Sequence, residues 1–489
     1  MNFTSIRYVA IFSLIFAAYY KIPHKWRWAF LLGASYAFYA LWNWKFLPLI
    51  WGTTFTSYIT AIQIEKQGQR KLKQRFLAAG AAFLLAPLFL FKYTNFFISN
   101  VNRAIGLIGL DASLRPASLI LPLGISFYTF QLLGYLIDVY RGRVKAERHY
   151  GIFSLFASFF PQFIAGPIER AGKLLHQLRE EAFFDYSRSA SMLKRIAWGF
   201  LKKTVIADGL VQSVNKVFNT PSLSTGFMAM AGAVLFSIQI YADFSACSDI
   251  AIGCAGMLGI NLSENFRQPH FAASISEFWS RWHMTLSNWL RDYIYIPLCK
   301  GKKKRWQIYL AIIATFLASG FWHGAGWRYL IWGFIHGIYL VASNMTKKLR
   351  KNAVAFLRLD KAPKLHGFLQ IAMTFSLVCF SRIFFRANSV EDAFVLIKAI
   401  FVQLSTLSLN SVYVGVVDIW MLFSNSDIVI FFFFFAVLES FQYLERKYGS
   451  AWSWLGGKKA IFRFAAYIFI AASIILFSSP SQSFFYNQF

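Results

Sequence analysis

A long apolar stretch with one histidine near its middle most constrains what this chain can fold into. In residues 306–341 the only Asp, Glu, Lys or Arg is Arg328, and His323 lies near the centre. Because a helix needs about 20 apolar residues to cross a bilayer, the stretch predicts membrane-embedded structure. An ionisable side chain at that depth is costly unless it has a partner or serves a site, so His323 is the first candidate functional residue.

The composition extends this interpretation to the whole chain. Hydrophobic residues make up 57% of the 489 positions. The net charge is +29, but Lys and Arg cluster in short segments at the ends of apolar runs, namely residues 21–27, 66–75, 141–148, 300–305 and 347–364. This distribution is typical of cytoplasmic loops that contact membrane lipids, and it argues against nucleic-acid binding. The four cysteines form no CxxC pair, so neither a disulfide framework nor a metal site is predicted.

The apolar runs predict an all-α fold, a polytopic transmembrane helical bundle that occupies residues 1–489 as a single integral-membrane domain. When the basic segments are placed in the cytoplasm, the runs correspond to about 10–12 spans, together with re-entrant and interfacial helices.

Three segments refine this topology. Residues 150–168 lie between basic loops and contain two prolines, so they predict a re-entrant hairpin rather than two full crossings. Residues 306–322 and 327–341 are expected to cross as a pair, which places His323 away from the cytoplasm. Residues 388–427 carry four acidic residues and one Lys, and are expected to form an outer loop.

An amphipathic helix is predicted over residues 271–296. Ser274 and Glu277 have the spacing of a capping box at its start, and Pro297 is expected to end it. A continuous helix would place four polar or aromatic side chains on one face, at intervals of four residues: Trp279, His283, Ser287 and Arg291.

The histidines differ in what their surroundings indicate. His323 is suited to act as a general base that deprotonates an attacking hydroxyl or thiol, because imidazole titrates near neutral pH. The alternative for His323 is a structural histidine in a helix turn. His283 is a weaker candidate on an interfacial helix, and His336 is expected to make a helix-packing hydrogen bond.

The segment 239–249 is unusually polar for a membrane span, and it contains Asp243 and Asp249. Such a segment either lines a hydrophilic tunnel or forms a closed hydrogen-bonded network between helices. The sequence alone leaves both alternatives open.

Several short motifs together resemble one known family. They are LPLGISFYTF at residues 121–130, FPQFIAGPI at 160–168, the segment 241–253, FWSRWH at 278–283, GFWHG at 320–324 and FFRA at 384–387. The combination resembles the membrane-bound O-acyltransferase family, and most closely its bacterial branch of alginate-type polysaccharide O-acetyltransferases.

The resemblance implies a bundle around a central tunnel, with acyl transfer from a cytoplasmic thioester to an acceptor reached from the outer side. It implies that His323 is the catalytic histidine and His283 the second polar active-site residue. Five further side chains are expected to line the tunnel or bind substrate: Trp322, Asp243, Asp249, Asn288 and Arg291.

The same resemblance implies acetyl-CoA as the donor substrate, with no permanently bound cofactor and no metal. It also implies an exported polysaccharide as acceptor, a periplasmic partner protein, and a location in the bacterial cytoplasmic (inner) membrane. Two alternatives stay open. One is D-alanyl transfer to teichoic acid from a carrier protein, and the other is a non-catalytic conduit or transporter for acyl groups.

Overall fold

The computed structural model describes residues 4–110, 112–163, 166–301, 304–423 and 427–480. All regular elements in these ranges are helical, which confirms the predicted all-α class. Five of the described helices are long and apolar enough to cross a membrane: Arg70–Leu107, Gly226–Met257, Pro363–Arg386, Asp427–Tyr448 and Ala460–Phe477. These helices indicate a multi-pass membrane protein. The total of about 10–12 spans and the central tunnel stay predictions.

The described residues group into two compact units. The first comprises residues 4–196 and 248–264, and the second comprises residues 197–247 and 265–480. The single integral-membrane domain over residues 1–489 stays a prediction.

The helices that begin in the first unit are α1 Ile6–Tyr19, α2 His24–Asn43, α3 Leu47–Lys66, α4 Arg70–Leu88, α5 Thr94–Leu107, α6 Ile125–Tyr140, α7 Tyr150–Ser158, α8 Phe160–Phe163, α9 Ala171–Gln177 and α10 Tyr186–Leu201. Helices α4 and α5 are joined by a π-helical turn, Phe89–Tyr93. The expected break within residues 150–168 is present between α7 and α8, although residues 164 and 165 of that hairpin lie outside the described ranges.

Helix α6 begins later than the apolar run that contains it. Gly124 precedes the helix with φ 69°, a left-handed conformation that favours glycine. A Cβ atom at this position would also lie 2.5 Å from the carbonyl oxygen of Phe163. The turn at Gly124 therefore keeps residues 118–123 out of the helix, which begins at Ile125.

The helices that begin in the second unit are α11 Val211–Phe218, α12 Gly226–Met257, α13 Ile275–Arg281, α14 Met284–Leu290, α15 Ile296–Cys299, α16 Arg305–His323, α17 Trp327–Met345, α18 Lys347–Phe356, α19 Pro363–Arg386, α20 Val390–Ser405, α21 Leu409–Met421, α22 Asp427–Tyr448, α23 Ala451–Gly456 and α24 Ala460–Phe477. The predicted pair around His323 is present as α16 and α17, which pack along each other.

The segment expected as an outer loop, residues 388–427, is largely helical. It contains α20 and α21, and residues 424–426 lie outside the described ranges. Each helix is preceded by a capping serine whose hydroxyl accepts a backbone hydrogen bond, Ser389 from Asp392 and Ser408 from Ser411. The charge count could not reveal these helices, because it carries no information on local backbone structure.

The predicted continuous helix over residues 271–296 is wrong. It starts as expected, since the Ser274 hydroxyl accepts from the Glu277 backbone N–H at 3.1 Å. It then stops at Arg281, because Trp282 is extended and His283 has φ 41°. The single face proposed for these side chains therefore does not exist.

The expected stop at Pro297 is also wrong. Pro297 occupies the first turn of α15, where the missing N–H of proline is tolerated.

Candidate active site

His323 is the last residue of α16 and is 2% exposed. Three aromatic rings surround its imidazole in the second unit, with centroids at 4.9 Å for Trp322, 4.9 Å for Trp332 and 5.3 Å for Phe385. Trp332 comes from α17 and Phe385 from α19, so three helices build this pocket. An imidazole in such a dry setting is held away from bulk water, as a general base for acyl transfer requires.

His283 lies between α13 and α14 and is fully buried. Its φ of 41° is rare for a residue with a side chain, and strained backbone of this kind concentrates at functional sites. The Nδ1 atom lies 3.0 Å from the side-chain oxygen of Asn265. The ring of Phe244, from α12, packs edge-on at 4.6 Å between centroids.

Burial lowers the pKa of His283 to about 3. His283 lies outside the five candidate spans, in the short connection before α14. Because the charged form is disfavoured by desolvation, this imidazole is neutral at any pH near 7.

Trp322 is the structural link between the two histidines. Its ring centroid lies 5.9 Å from that of His283 and 4.9 Å from that of His323. The fold therefore brings three of the predicted site residues together, although His283 and His323 are 40 positions apart in the chain.

Asp243 belongs to a buried ion-pair network. The Lys203 ammonium lies 3.0 Å from Asp243 and 2.8 Å from Asp208, and the Lys202 ammonium donates to the Ser245 hydroxyl at 2.8 Å. Of the two alternatives for the polar segment 239–249, these contacts favour a hydrogen-bonded network over a tunnel wall at Asp243.

Asp249 lies in the first unit, where Arg195 binds it at 2.8 Å and also binds Glu264. Asn288 is exposed on α14, and Arg291 pairs with its neighbour Asp292 at 2.9 Å. The roles expected for these three side chains in lining a tunnel or binding substrate stay predictions.

His336 makes the expected packing hydrogen bonds. Its Nδ1 atom accepts from the Trp279 indole N–H at 3.2 Å, and its Nε2 atom lies 2.9 Å from the Ser381 hydroxyl. Both ring nitrogens are used between α13, α17 and α19, which confirms the structural interpretation of this residue.

The sequence interpretation missed Asn265, Trp332 and Phe385 as neighbours of the two histidines. Asn265 lies in a loop that makes no periodic pattern, 18 positions before His283. Phe385 belongs to the FFRA motif, which was the one sequence signal that could have drawn attention to it.

Comparison with known proteins identifies a family match over the region that holds both histidines. The model of MBOAT, the membrane-bound O-acyltransferase family, matches residues 149–385. The chain is 38% identical over 403 residues to the probable alginate O-acetylase of Azotobacter vinelandii, an alignment that covers 82% of this chain and 78% of that protein.

Two further relatives carry different names. The peptidoglycan O-acetyltransferase of Helicobacter pylori is 34% identical over 78% of this chain and 75% of its own length. The teichoic acid D-alanyltransferase of Bacillus subtilis is 28% identical over 54% of this chain and 68% of its own length.

Proposed function

Because the chain belongs to the membrane-bound O-acyltransferase family, in its alginate-type polysaccharide O-acetyltransferase branch, and is an O-acyltransferase, we propose that it moves an acetyl group from cytoplasmic acetyl-CoA across the membrane. The acetyl group serves the O-acetylation of an exported, alginate-like polysaccharide, and a periplasmic partner protein presents or completes the acceptor. In this proposal the enzyme resides in the bacterial cytoplasmic membrane.

The observation that carries the proposal is that the buried imidazoles of His283 and His323 both pack against the ring of Trp322. The two imidazoles come from segments that are distant along the chain, and both are buried. Burial of two ionisable side chains in a membrane protein is a recurrent sign of a reaction site.

In the proposed reaction, His323 accepts the proton of an acceptor hydroxyl. The hydroxyl oxygen attacks the carbonyl carbon of the acetyl thioester, a new C–O ester bond forms, and the C–S bond breaks. The proton held by His323 then passes to the departing thiolate, so that free coenzyme A and the acetyl ester are the products. Such general-base assistance contributes about 10²–10⁴-fold in rate.

The proposed sidedness follows from charge. The segments 300–305 and 347–364 are rich in Lys and Arg, which favours the cytoplasm and suits the phosphates of coenzyme A. The turn between α16 and α17, next to His323, would then face the opposite side, where the acceptor arrives.

Two other functions are the alternatives to this proposal. A D-alanyl group is the second candidate, supported by the match to a teichoic acid D-alanyltransferase, which is weaker in both identity and coverage than the match to the acetylases. A conduit that performs no covalent chemistry is the third. It would tolerate a polar replacement of His323, whereas an acyltransferase would not.

The deciding experiment uses inverted membrane vesicles that carry the protein, with periplasmic extract and polysaccharide trapped inside and acetyl-labelled acetyl-CoA added outside. We expect label to appear in lumenal ester only with wild-type protein, and to be lost in His323→Gln. Equal labelling by His323→Gln would favour the conduit, and no use of acetyl-CoA by the wild type would remove acetyl as the group transferred.

A further inference from the structure

Asn265 makes the contacts that determine which nitrogen of His283 carries the proton. Its side-chain oxygen lies within hydrogen-bond distance of three groups: His283 Nδ1 at 3.0 Å, the Thr285 hydroxyl at 2.9 Å and the Thr285 backbone N–H at 3.4 Å. Its backbone carbonyl also accepts from the Met284 N–H at 2.9 Å. Asn265 is 1% exposed, so these bonds form away from solvent.

These contacts establish the orientation of the Asn265 amide. A backbone N–H can only donate, so the side-chain atom that faces the Thr285 N–H must be the oxygen and not the NH₂ group. An amide oxygen can only accept. His283 Nδ1 therefore carries the hydrogen that it shares with Asn265, and in the neutral ring Nε2 holds the lone pair.

We propose that Asn265 is a positioning residue that holds His283 as the Nδ1–H tautomer, so that Nε2 is the ring's only acceptor for an O–H or N–H group of the substrate. The inference rests on the proposed function, because it gives His283 its role beside Trp322 and His323. Asn265 also helps to hold the strained backbone of His283, because its backbone carbonyl accepts from the Met284 N–H and its side-chain oxygen accepts from the Thr285 N–H.

Three neutral side chains among the described residues contact His283. They are the rings of Phe244 from α12 and Trp322 from α16 and the amide of Asn265, and burial accounts for the lowered pKa of His283. A neutral acceptor at Nδ1 orients the ring without favouring the imidazolium, whereas a carboxylate would favour it.

Two substitutions separate positioning from a merely structural role. Asn265→Leu removes the acceptor at similar volume, and we expect a fall of about tenfold or more in the rate constant at saturating acetyl-CoA with little change in KM, as for a lost orienting partner. Asn265→Asp keeps an acceptor but places a carboxylate beside Nδ1–H, which raises the pKa of His283. Below that pKa Nε2 is protonated and cannot accept a proton. The variant should therefore be active at high pH, and as the pH falls it should lose activity at a higher pH than the wild type does.

The matched control is Asn261→Asp, which introduces the same charge on an exposed residue four positions earlier. Its pH–rate profile should coincide with that of the wild type. An Asn265→Asp profile that also coincides with the wild type, or an Asn265→Leu variant with wild-type turnover, would overturn the proposal.

A spectroscopic readout keeps the test independent of catalysis and of the proposed reaction. Protein with ¹⁵N-labelled histidine, in lipid bilayers, reports the tautomer of each ring by solid-state NMR, and His283→Gln assigns the signal. We expect Nδ1–H in the wild type and a mixture of tautomers in Asn265→Leu. A protonated Nε2 in the neutral wild-type ring would contradict the inference about Asn265. If the wild-type protein does not use acetyl-CoA, only the proposed function is refuted.

Discussion

The carbonyl oxygen of Tyr329 lies 2.2 Å from the point that a Cβ atom on Gly320 would occupy, so α16 and α17 meet backbone to backbone at this position. Gly333 makes the equivalent approach from α17, where a Cβ atom would lie 2.3 Å from the carbonyl oxygen of Phe316. Small residues that permit such close contact are the usual means by which membrane helices associate. The glycine before the Trp–His pair therefore serves the packing that presents His323.

This contact predicts that Gly320→Leu separates α16 from α17. The added side chain would collide with main-chain atoms that cannot rotate away, and overpacking of this kind costs about 1–3 kcal/mol or more. Thermal unfolding in detergent should show a lower Tm. Gly367→Ala in α19, where nothing lies within 4 Å of the new Cβ, is the control and should keep the wild-type Tm. Equal Tm values for both variants would contradict backbone-to-backbone packing.

Loss of the His323 imidazole should abolish O-acetylation of the exported polymer while the protein still inserts and accumulates. Removal of a general base lowers the rate by about 10²–10⁴-fold. Polymer-bound acetate is measured in cells with matched amounts of His323→Ala and wild-type protein. His176→Ala is the control, because that side chain is 73% exposed and pairs only with Glu180 in the described structure. Near-normal acetylation by His323→Ala would remove the catalytic role.

Replacement of His283 by Ala should lower turnover more than membrane abundance. The reason is that its ring sits at the candidate site, next to Trp322, rather than at a lipid-facing position. Abundance by quantitative blotting and activity per molecule separate the two effects. If His283→Ala leaves turnover unchanged while Trp282→Ala and Trp289→Ala lower membrane abundance, the segment that contains these residues only anchors the bundle.

The basic segments on both sides of α16 and α17 should lie in the cytoplasm, because Lys and Arg are disfavoured from crossing. A single cysteine at Lys304, in a variant that lacks the four native cysteines, should resist a membrane-impermeant thiol reagent added to intact cells. A cysteine at the half-exposed Trp327 should react. Position 303, the other obvious choice, lies outside the described residues. Labelling at Lys304 from the periplasm would overturn the topology and the two-sided mechanism.

Asp243→Asn should reduce stability more than it changes catalysis. The substitution leaves the buried Lys203 ammonium with Asp208 but without its second carboxylate, and loss of one partner of a buried pair costs about 3–5 kcal/mol at most. Thermal unfolding and turnover per folded molecule are compared with the wild type. An unchanged Tm with a raised KM for the acceptor would instead support the substrate-binding role expected for Asp243.

The sequence by itself determined the all-α membrane class, the pairing of apolar runs around His323 and the capped start at Ser274. These features depend on residues that are close together in the sequence. They follow from the length of an apolar run relative to the bilayer thickness, from the Lys and Arg residues at the ends of such runs, and from side chains that cap the helix backbone. The family could also be recognised from the sequence, because several of its motifs occur together along the chain.

Only the tertiary structure decided how the site is assembled. The helix broke at His283 because Asn265, from a separate loop, binds both the ring and the backbone after it. The spacing of four residues between Trp279, His283, Ser287 and Arg291 predicts instead one continuous helix with these side chains on one face. The ion pair of Asp243 with Lys203 likewise joins residues 40 positions apart in the chain. Sequence periodicity describes neighbours within one helix, whereas these contacts join segments that are distant along the chain, and only packing brings such segments together.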